Sequence, residues 1–151
     1  MRPIKAQSGV AAVEMALLLP FLLLLAFGIT ELGRAVYQYN TLAKAVRDGA
    51  RHLSQYAPGD AGRADEARSL VGCGATVCGD KQPLVPGMSS SYVRVRDRLS
   101  DPGGYNLQST GRGTVNLVRV EVSGFTFRSL VPGFIPSVPF SPIHATMVQV
   151  L

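Results

Sequence analysis

The first third of the chain is dominated by one apolar run. Twenty residues from Val10 to Ile29 carry a single charge, Glu14. A helix of this length spans about 30 Å, the thickness of the hydrocarbon core of a bilayer, so the run predicts a membrane-spanning helix. Pro20 falls inside it and is expected to kink the helix or loosen one turn. A carboxylate in a membrane span is costly, about 2.5–3.5 kcal/mol at the centre and less near an end, which makes Glu14 a candidate functional residue.

Beyond the span, the hydrophobic pattern becomes a stripe with alternating spacings of four and three residues. Polar and charged residues cover the other faces, and the stripe ends before a proline–glycine stop at Pro58-Gly59. We therefore expect one continuous helix from Val10 to Tyr56, about 70 Å long. The stripe must be covered either by the protein's own C-terminal domain or by the same helix in neighbouring subunits, and both can hold along different parts of it. Its members are Leu32, Val36, Tyr39, Ala43, Val46, Ala50 and Leu53.

The remainder of the chain predicts a short helix followed by a small sheet. The expected fold class is α+β, with the long helix packed on an antiparallel sheet of three or four strands, because so small a sheet needs a helix on one face. A switch in apolar parity at Leu117-Val118 predicts a bulge. The predicted elements are a helix at 61–71, strands at 92–98, 114–127 and 143–151, a turn at 101–104 and a proline-rich crossover at 130–142 that cannot be a central strand.

These patterns divide the chain into four parts. They are a leader at 1–9, a transmembrane helix at 10–30, an amphipathic extension at 31–56 and an extracytoplasmic domain at 57–151. The leader carries Arg2 and Lys5 and no acidic residue. By the positive-inside rule this favours a single-pass topology with the N-terminus inside.

Two cysteines, Cys73 and Cys78, stand close together after the short helix. In an oxidising compartment they would close a small disulfide loop, which the chain-entropy model values at about 2 kcal/mol. Free thiols and a metal site are the alternatives. A metal site would need further ligands, and only the remote His52 and His144 could join the cysteines, so we expect no metal.

Charge and motif content favour neither nucleic-acid binding nor catalysis. The net charge is +5, and the basic residues are scattered rather than clustered on one face. No nucleophile–base–acid set, phosphate loop or metalloprotease motif occurs, and Asp65 and Glu66 point to different faces of a helix. We expect a protein that is not an enzyme and needs no cofactor.

The N-terminal pattern resembles the processing signal of type IV pilin-like proteins. A basic leader is followed by Gly9, four small or apolar residues, Glu14 and an apolar span. The resemblance implies that a prepilin peptidase cuts between Gly9 and Val10 and leaves Glu14 at position five. Glu14 could then pair with the new amino terminus of a neighbouring subunit and set the axial register; the alternative is that it only reaches the membrane interface.

Two further blocks are similar to the TadE-like pseudopilins of the tight-adherence (Flp) pilus system. They are Glu31-Leu32-Gly33-Arg34 just past the span and Gly49-Ala50-Arg51 further along the helix. The resemblance implies a role in assembling an adhesive pilus. The implied partners are the prepilin peptidase, other pilins or pseudopilins, the tight-adherence membrane platform and the lipid bilayer.

Two other functional hypotheses remain open from the sequence. Residues 26–28 are a passable signal-peptidase site, which would release a secreted chain starting at Ile29. Alternatively, the span is only an anchor for an extracytoplasmic binding module. Its contact surface would be an exposed apolar patch, although the same residues could instead cap the core. The aromatic residues concerned are Phe125, Phe127, Phe134 and Phe140.

Overall fold

The computed structural model describes residues 8–131 and 136–150 of the 151-residue chain. Three sequence-based predictions fall partly outside these residues. They concern the leader with Arg2 and Lys5, the middle of the proline-rich crossover with Phe134, and the last residue of the final strand, Leu151.

Helix α1, Ser8–Leu53, is one continuous element of 46 residues that contains Pro20. The sequence pattern predicts that this helix ends at Tyr56. The chain instead leaves the helix three residues earlier in a tighter turn, where the N–H groups of Gln55 and Tyr56 donate to carbonyls three residues back, at 3.3 and 3.2 Å. Among the described residues, α1 is the one helix long and apolar enough to cross a membrane, and its apolar stretch is uncovered by the rest of the chain.

The C-terminal domain contains short helices and strands joined by tight turns. A 3₁₀ turn, Ser90–Tyr92, leads into the first strand. The helices are α2, Ala61–Cys73, and α3, Pro102–Tyr105; the strands are β1, Val93–Arg96, β2, Gln108–Ser109, β3, Thr114–Val122, β4, Thr126–Phe127, β5, Val138–Pro139, and β6, Ile143–Gln149.

Strand β3 is the centre of a four-stranded antiparallel sheet. It pairs with β1, with β6 and, at its start, with β2. The predicted bulge at Leu117-Val118 is wrong, because the ladder with β6 runs without interruption from Asn116 opposite Gln149 to Val122 opposite Ile143. The parity changes later, at Ser123-Gly124, where the chain leaves β3 and Gly124 adopts a φ of 78°.

Two details of the sheet differ from the sequence-based picture. The segment predicted as a turn at 101–104 largely forms α3, which leads into the unpredicted strand β2. The part of the proline-rich crossover that is described stays out of the main sheet, and its two-residue β5 pairs with β4 in a separate small sheet. This placement agrees with the low tolerance of ladder hydrogen bonds for proline.

The C-terminal half of α1 packs on the sheet and on α2, which confirms the predicted α+β fold. Leu42, Val46, Val71 and Val120 are fully buried in this core. The apolar stripe, however, divides in two. Its later members Val46, Ala50 and Leu53 are buried, whereas Leu32, Val36 and Tyr39 are 66%, 50% and 43% exposed. The protein's own domain covers the second half of the stripe and leaves Leu32 and Val36 open, with Tyr39 at the boundary, where its ring contacts Phe140.

At Gly49 the backbone of α1 lies close to the domain. A Cβ atom at this position would lie 3.1 Å from Val71 Cγ2, 3.3 Å from the Ala67 carbonyl oxygen and 3.7 Å from Val120 Cγ1. The Ala67 carbonyl belongs to the backbone of α2 and cannot swing aside. A side chain at residue 49 would therefore push α2 away from α1.

We predict that Gly49→Val lowers the free energy of unfolding by about 1–3 kcal/mol through overpacking. Thermal melting of the full chain in detergent, followed by circular dichroism, measures the loss. Gly72→Ala is the matched control, because Gly72 is also a buried helical glycine but has open space at its Cβ position. An equal melting temperature for Gly49→Val and the wild type would contradict the packing argument.

Candidate functional site at the membrane exit of the long helix

The apolar first half of α1 presents its side chains outward. Val10, Phe21 and Ile29 are 60%, 70% and 65% exposed. Gly9 and Val10 lie in the first turns of the helix, and a Cβ atom at Gly9 would meet nothing within 4 Å. Glu14 is exposed one turn further on and makes no ion pair with the described residues. Any partner of Glu14 must come from outside the described chain.

Directly after the span, Glu31 is turned into the protein and is only 4% exposed. Its Oε2 accepts a hydrogen bond from the backbone N–H of Leu130 at 3.1 Å, across 99 residues of sequence. Its Oε1 forms an ion pair with Arg34 Nη1, one helical turn later. The carboxylate thus ties the start of the amphipathic half of α1 to the loop after β4.

The environment of Glu31 keeps it charged. Burial by itself would raise the pKa of this carboxyl, but the nearby Ser129 hydroxyl, the hydrogen bonds from Arg34 and the Leu130 backbone, and the Arg34 charge outweigh it. The pKa therefore lies below the usual value for glutamate. At neutral pH the side chain is a carboxylate that accepts hydrogen bonds from Arg34 and from the Leu130 N–H.

Arg34, the ion-pair partner of Glu31, also contacts the aromatic residues of the core. Its guanidinium lies over the ring of Phe127, 5.4 Å from the centroid, in a cation–π contact. Phe127 stacks on Phe140 at 6.4 Å, and Phe140 meets the ring of Tyr39 edge-on at 5.6 Å. We call Glu31, Arg34, Phe127, Ser129 and Leu130 the membrane-exit lock.

The exposed aromatic patch suggested by the sequence is largely absent from the described residues. Phe125 and Phe127 are 3% and 1% exposed, and Phe140 is half-buried against them. Phe134 lies outside the described residues. The aromatic residues cap the core because Arg34 and Tyr39 of α1 cover them, so this surface offers no support for a binding module.

In the block Gly49-Ala50-Arg51, the first two residues pack against the domain. Gly49 and Ala50 are buried between α2 and the sheet, whereas Arg51 is exposed on the opposite face of α1. The block Glu31-Leu32-Gly33-Arg34 divides in the same way. Glu31 and Arg34 hold the domain, and Leu32 and Gly33 are exposed.

Cys73 and Cys78 form a disulfide at the C-terminal end of α2, with Sγ atoms 2.02 Å apart. Gly74, in the left-handed conformation, ends the helix and starts the loop that the bond closes. Within the described residues, no group of three His, Cys, Asp or Glu side chains is arranged to hold a metal ion. The bond favours an oxidising compartment for this domain.

A polar cluster at the far end of α1 was missed by sequence reasoning. His52 Nε2 lies 2.8 Å from Glu66 Oε2, and Arg63 Nη1 donates to both oxygens of Glu66 at 2.9 and 2.8 Å. The hydrogen bonds from Arg63, and then from His52, lower the pKa of Glu66. The cluster joins α1 to α2. The spacing of Arg63 and Glu66 could have indicated their pair, but nothing local to His52 indicates its partner.

A comparison with protein-family models gives a match for the segment that contains Glu31-Leu32-Gly33-Arg34 and Gly49-Ala50-Arg51. Residues 9–51 match the family model of TadE-like proteins. This segment is TadE-like. The match begins at Gly9 and ends at Arg51, so it includes Glu14, the α1 part of the membrane-exit lock and the Gly49 contact. The comparisons with curated proteins and with solved structures gave no match.

The TadE-like segment thus corresponds to α1 almost from end to end. The sequence-based recognition of this family is confirmed over residues 9–51. The β-strands of the C-terminal domain lie beyond the matched segment, although they supply the loop that receives Glu31.

We predict that Glu31→Gln loosens the membrane-exit lock. The pKa of Glu31 is lowered in the folded protein, so its contribution to stability is present above the ordinary glutamate pKa of about 4.3 and disappears as the pH falls through the folded value. The melting temperature of Glu31→Gln should therefore lie below that of the wild type at pH 7 and approach it on acidification below pH of about 4.

Limited proteolysis gives an independent measurement of the same lock. Arg128 is an exposed trypsin site next to Ser129, and loss of the carboxylate should speed cleavage there at pH 7. Glu121→Gln is a suitable control because Glu121 pairs with Arg119 within β3, away from the lock. A melting difference that is independent of pH would contradict the assigned role of the charge.

We also predict that the cysteines of protein recovered from membranes resist alkylation until a reductant is added. Replacing both Cys73 and Cys78 by serine should lower the free energy of unfolding by about 2 kcal/mol, as expected for so short a loop. Mass spectrometry after alkylation reads the redox state, and thermal melting reads the stability. Immediate alkylation of both thiols would place this domain in a reducing compartment.

Proposed function

We propose that this protein is a pseudopilin-like component of a tight-adherence pilus system, anchored in the inner membrane and processed by a prepilin peptidase. The observation that carries the proposal is one uninterrupted helix, uncovered in its first half, whose residues 9–51 match the TadE-like family. Its partners would be the peptidase, other pilins or pseudopilins and the tight-adherence membrane platform. The protein would be a substrate of the peptidase and not itself an enzyme.

The proposed topology places residues 1–9 on the cytoplasmic side and residues 31–151 outside. The disulfide supports an extracytoplasmic domain, and the basic leader supports an inside N-terminus. Cleavage between Gly9 and Val10 would then occur at the cytoplasmic face of the membrane. It would leave the new amino group about one turn from Glu14.

The exposed half of the apolar stripe supports a role for Glu14 in assembly. Glu14 and Leu32 are separated by about five full turns of an α-helix, so they lie on one face. Val36 and Tyr39 continue that face beyond the membrane, and both are exposed. A neighbouring subunit that covers this face would also pass beside Glu14. Its newly formed amino terminus could neutralise the carboxylate and offset the cost of both charges.

The continuity of α1 counts against a secretory signal. A cut after Gly28 would remove the apolar span from a helix that continues without a break through Ile29 and Thr30. Glu31 would then lie two residues from a free chain end, although it anchors the loop at Leu130. The Glu31–Leu130 contact is more stable when helical residues precede Glu31 as well as follow it.

We predict that the protein recovered from membranes begins at Val10, as measured by mass spectrometry of its N-terminal peptide. Glu14→Ala should still be cleaved and inserted, but the yield of assembled pili should fall at least tenfold because the carboxylate partner is missing. Met15→Ala is the matched control, since Met15 is the exposed neighbour on another face of the span.

Each alternative gives a different result in the same experiment. A chain beginning at Ile29 would identify a secreted protein, and one beginning at Met1 an uncleaved anchor. Unchanged pilus yield with Glu14→Ala would remove the assembly role of this residue even if cleavage at Gly9 occurs.

A further inference from the structure

The membrane-exit lock holds one end of the proline-rich crossover beside the apolar half of α1. The backbone N–H of Leu130 donates to Glu31, which follows Ile29, the last residue of the apolar run, by two positions. Because an α-helix rises about 1.5 Å per residue, Glu31 lies about 3 Å beyond Ile29 along the helix axis. Leu130 is therefore held close to the level at which the apolar run ends.

Strand β6 runs away from this level, which places the crossover at the near end of the domain. Phe140, shortly before β6, meets the ring of Tyr39 at 5.6 Å. At the other end of β6, Gln149 Nε2 donates to the Tyr56 carbonyl at 2.9 Å, beyond the end of α1. The domain thus extends from the end of the apolar run toward the end of α1, with the crossover at its start.

The near end of the domain exposes two large apolar side chains. Leu130 is 71% exposed, and Val138 is 45% exposed. Val138 lies at this end because it pairs with Phe127 in the small sheet, and Phe127 packs under Arg34 of α1. We call Leu130 and Val138 the apolar tip.

The chain around the apolar tip suits a boundary with a less polar medium. No charged residue occurs in the sequence from 129 to 143. Pro136 and Pro139 are exposed, and a proline brings no backbone N–H that would need a partner. Removing this surface from water therefore buries no charge and fewer backbone donors than an ordinary loop would.

Arg128 provides a cation next to the apolar tip. It is exposed, stands two residues before Leu130 and makes no ion pair with the described residues. Two residues of extended chain span at most about 7 Å, so the guanidinium belongs to the same surface. Arginine binds phosphate oxygens through paired hydrogen bonds. The surface thus combines apolar side chains with a phosphate-binding cation.

The proposed topology sets the depth of the apolar tip relative to a bilayer. The hydrocarbon core is about 30 Å thick and the whole bilayer about 40–45 Å, which leaves a headgroup layer of about 5–8 Å on each side. With residues 10–29 across the core, Glu31 lies about 3 Å and Arg34 about 8 Å beyond it. The apolar tip, held at the level of these two residues, falls in that headgroup layer.

We propose that the apolar tip inserts into the headgroup layer of the bilayer and that Arg128 pairs with lipid phosphates there. Insertion stops at this layer because an irregular loop has backbone groups that hydrocarbon cannot satisfy. The domain would thereby have a second membrane attachment besides α1. This inference rests on the membrane anchoring proposed above, and it needs neither a pilus nor cleavage at Gly9.

Depth-dependent fluorescence quenching tests the insertion. The two native cysteines are joined to each other, so the thiol of Leu130→Cys or Val138→Cys in the full chain can be labelled selectively with an NBD fluorophore. The labelled protein is placed in vesicles of phosphatidylcholine and phosphatidylglycerol. A lipid nitroxide near the headgroup should quench either label at least twofold more than a nitroxide near the chain end.

Leu99→Cys is the matched control for the label. Leu99 is a leucine of similar exposure, 64%, at the opposite end of the domain, where its N–H donates to Asp97 and Asp97 also accepts from the Gly59 N–H beyond α1. Its label should respond to neither nitroxide and should be quenched by aqueous iodide. A wild-type melting temperature in detergent establishes that each labelled variant is folded.

Reversing the charge next to the apolar tip tests the role of Arg128. Arg128→Glu should lower the shallow quenching of the Leu130 label at least twofold, because a carboxylate is repelled by lipid phosphates. Arg112→Glu is the control, since Arg112 is an exposed arginine in the turn before β3, at the far end of the sheet. Equal quenching in the two charge variants would contradict the pairing of Arg128 with lipid.

The outcomes separate this inference from the proposed function. Extraction of the wild-type chain from membranes by alkaline carbonate would refute the anchoring and the insertion together. With anchoring retained, iodide quenching at Leu130 as strong as at Leu99 would overturn the insertion alone. A Leu130 label shielded from iodide but insensitive to both nitroxides would also overturn it, because another protein surface would then cover the apolar tip. Missing pili with the shallow quenching intact would refute the pilus role alone.

Discussion

The buried carboxylate of Glu31 is the interaction on which the arrangement of this protein depends. It lies directly after the apolar stretch of α1, where the helix meets its own domain. An uncompensated charge in that position would be costly, and the chain compensates it with Arg34, Ser129 and the Leu130 backbone. Arg34 lies one turn along α1 and Leu130 lies 99 residues from Glu31, so the contact joins distant parts of the chain.

The same contact divides α1 into faces with different roles. One face turns Glu31, Leu42 and Gly49 toward the domain, and the small residue at position 49 lets α2 approach closely. The other faces remain mostly exposed from Gly9 to Tyr37. An intact hydrophobic core and a large unpaired helix surface thus coexist in one chain, which is the combination that an assembling subunit needs. The TadE-like match spans both regions, so its residues include some that fold the protein and some that remain available to neighbours.

Sequence patterns predicted the elements of this fold well where the physical signal is local. The apolar span, the stripe, the α+β class and the cysteine pair all follow from composition and spacing. The stripe could not predict that its first half stays exposed while its second half is buried. Leu32 and Val46 are both apolar residues of one stripe, and only the position of the domain distinguishes their exposure. The partner of Glu31 is 99 residues away, and no local rule connects them. The apparent bulge at Leu117-Val118 arose because Leu117 is an apolar residue on the outer face of β3, whereas the real change of parity needs the glycine turn at Gly124.

The two attachments of the domain to α1 also have a mechanical consequence. Glu31 and Gly49 contact the domain at two points of one continuous helix, separated by about 27 Å along its axis. A body held at two such points cannot pivot freely about either of them. A tilt, rotation or axial pull on the apolar first half of α1 would therefore reach the domain through both contacts, and the helix would act as a lever rather than as a tether.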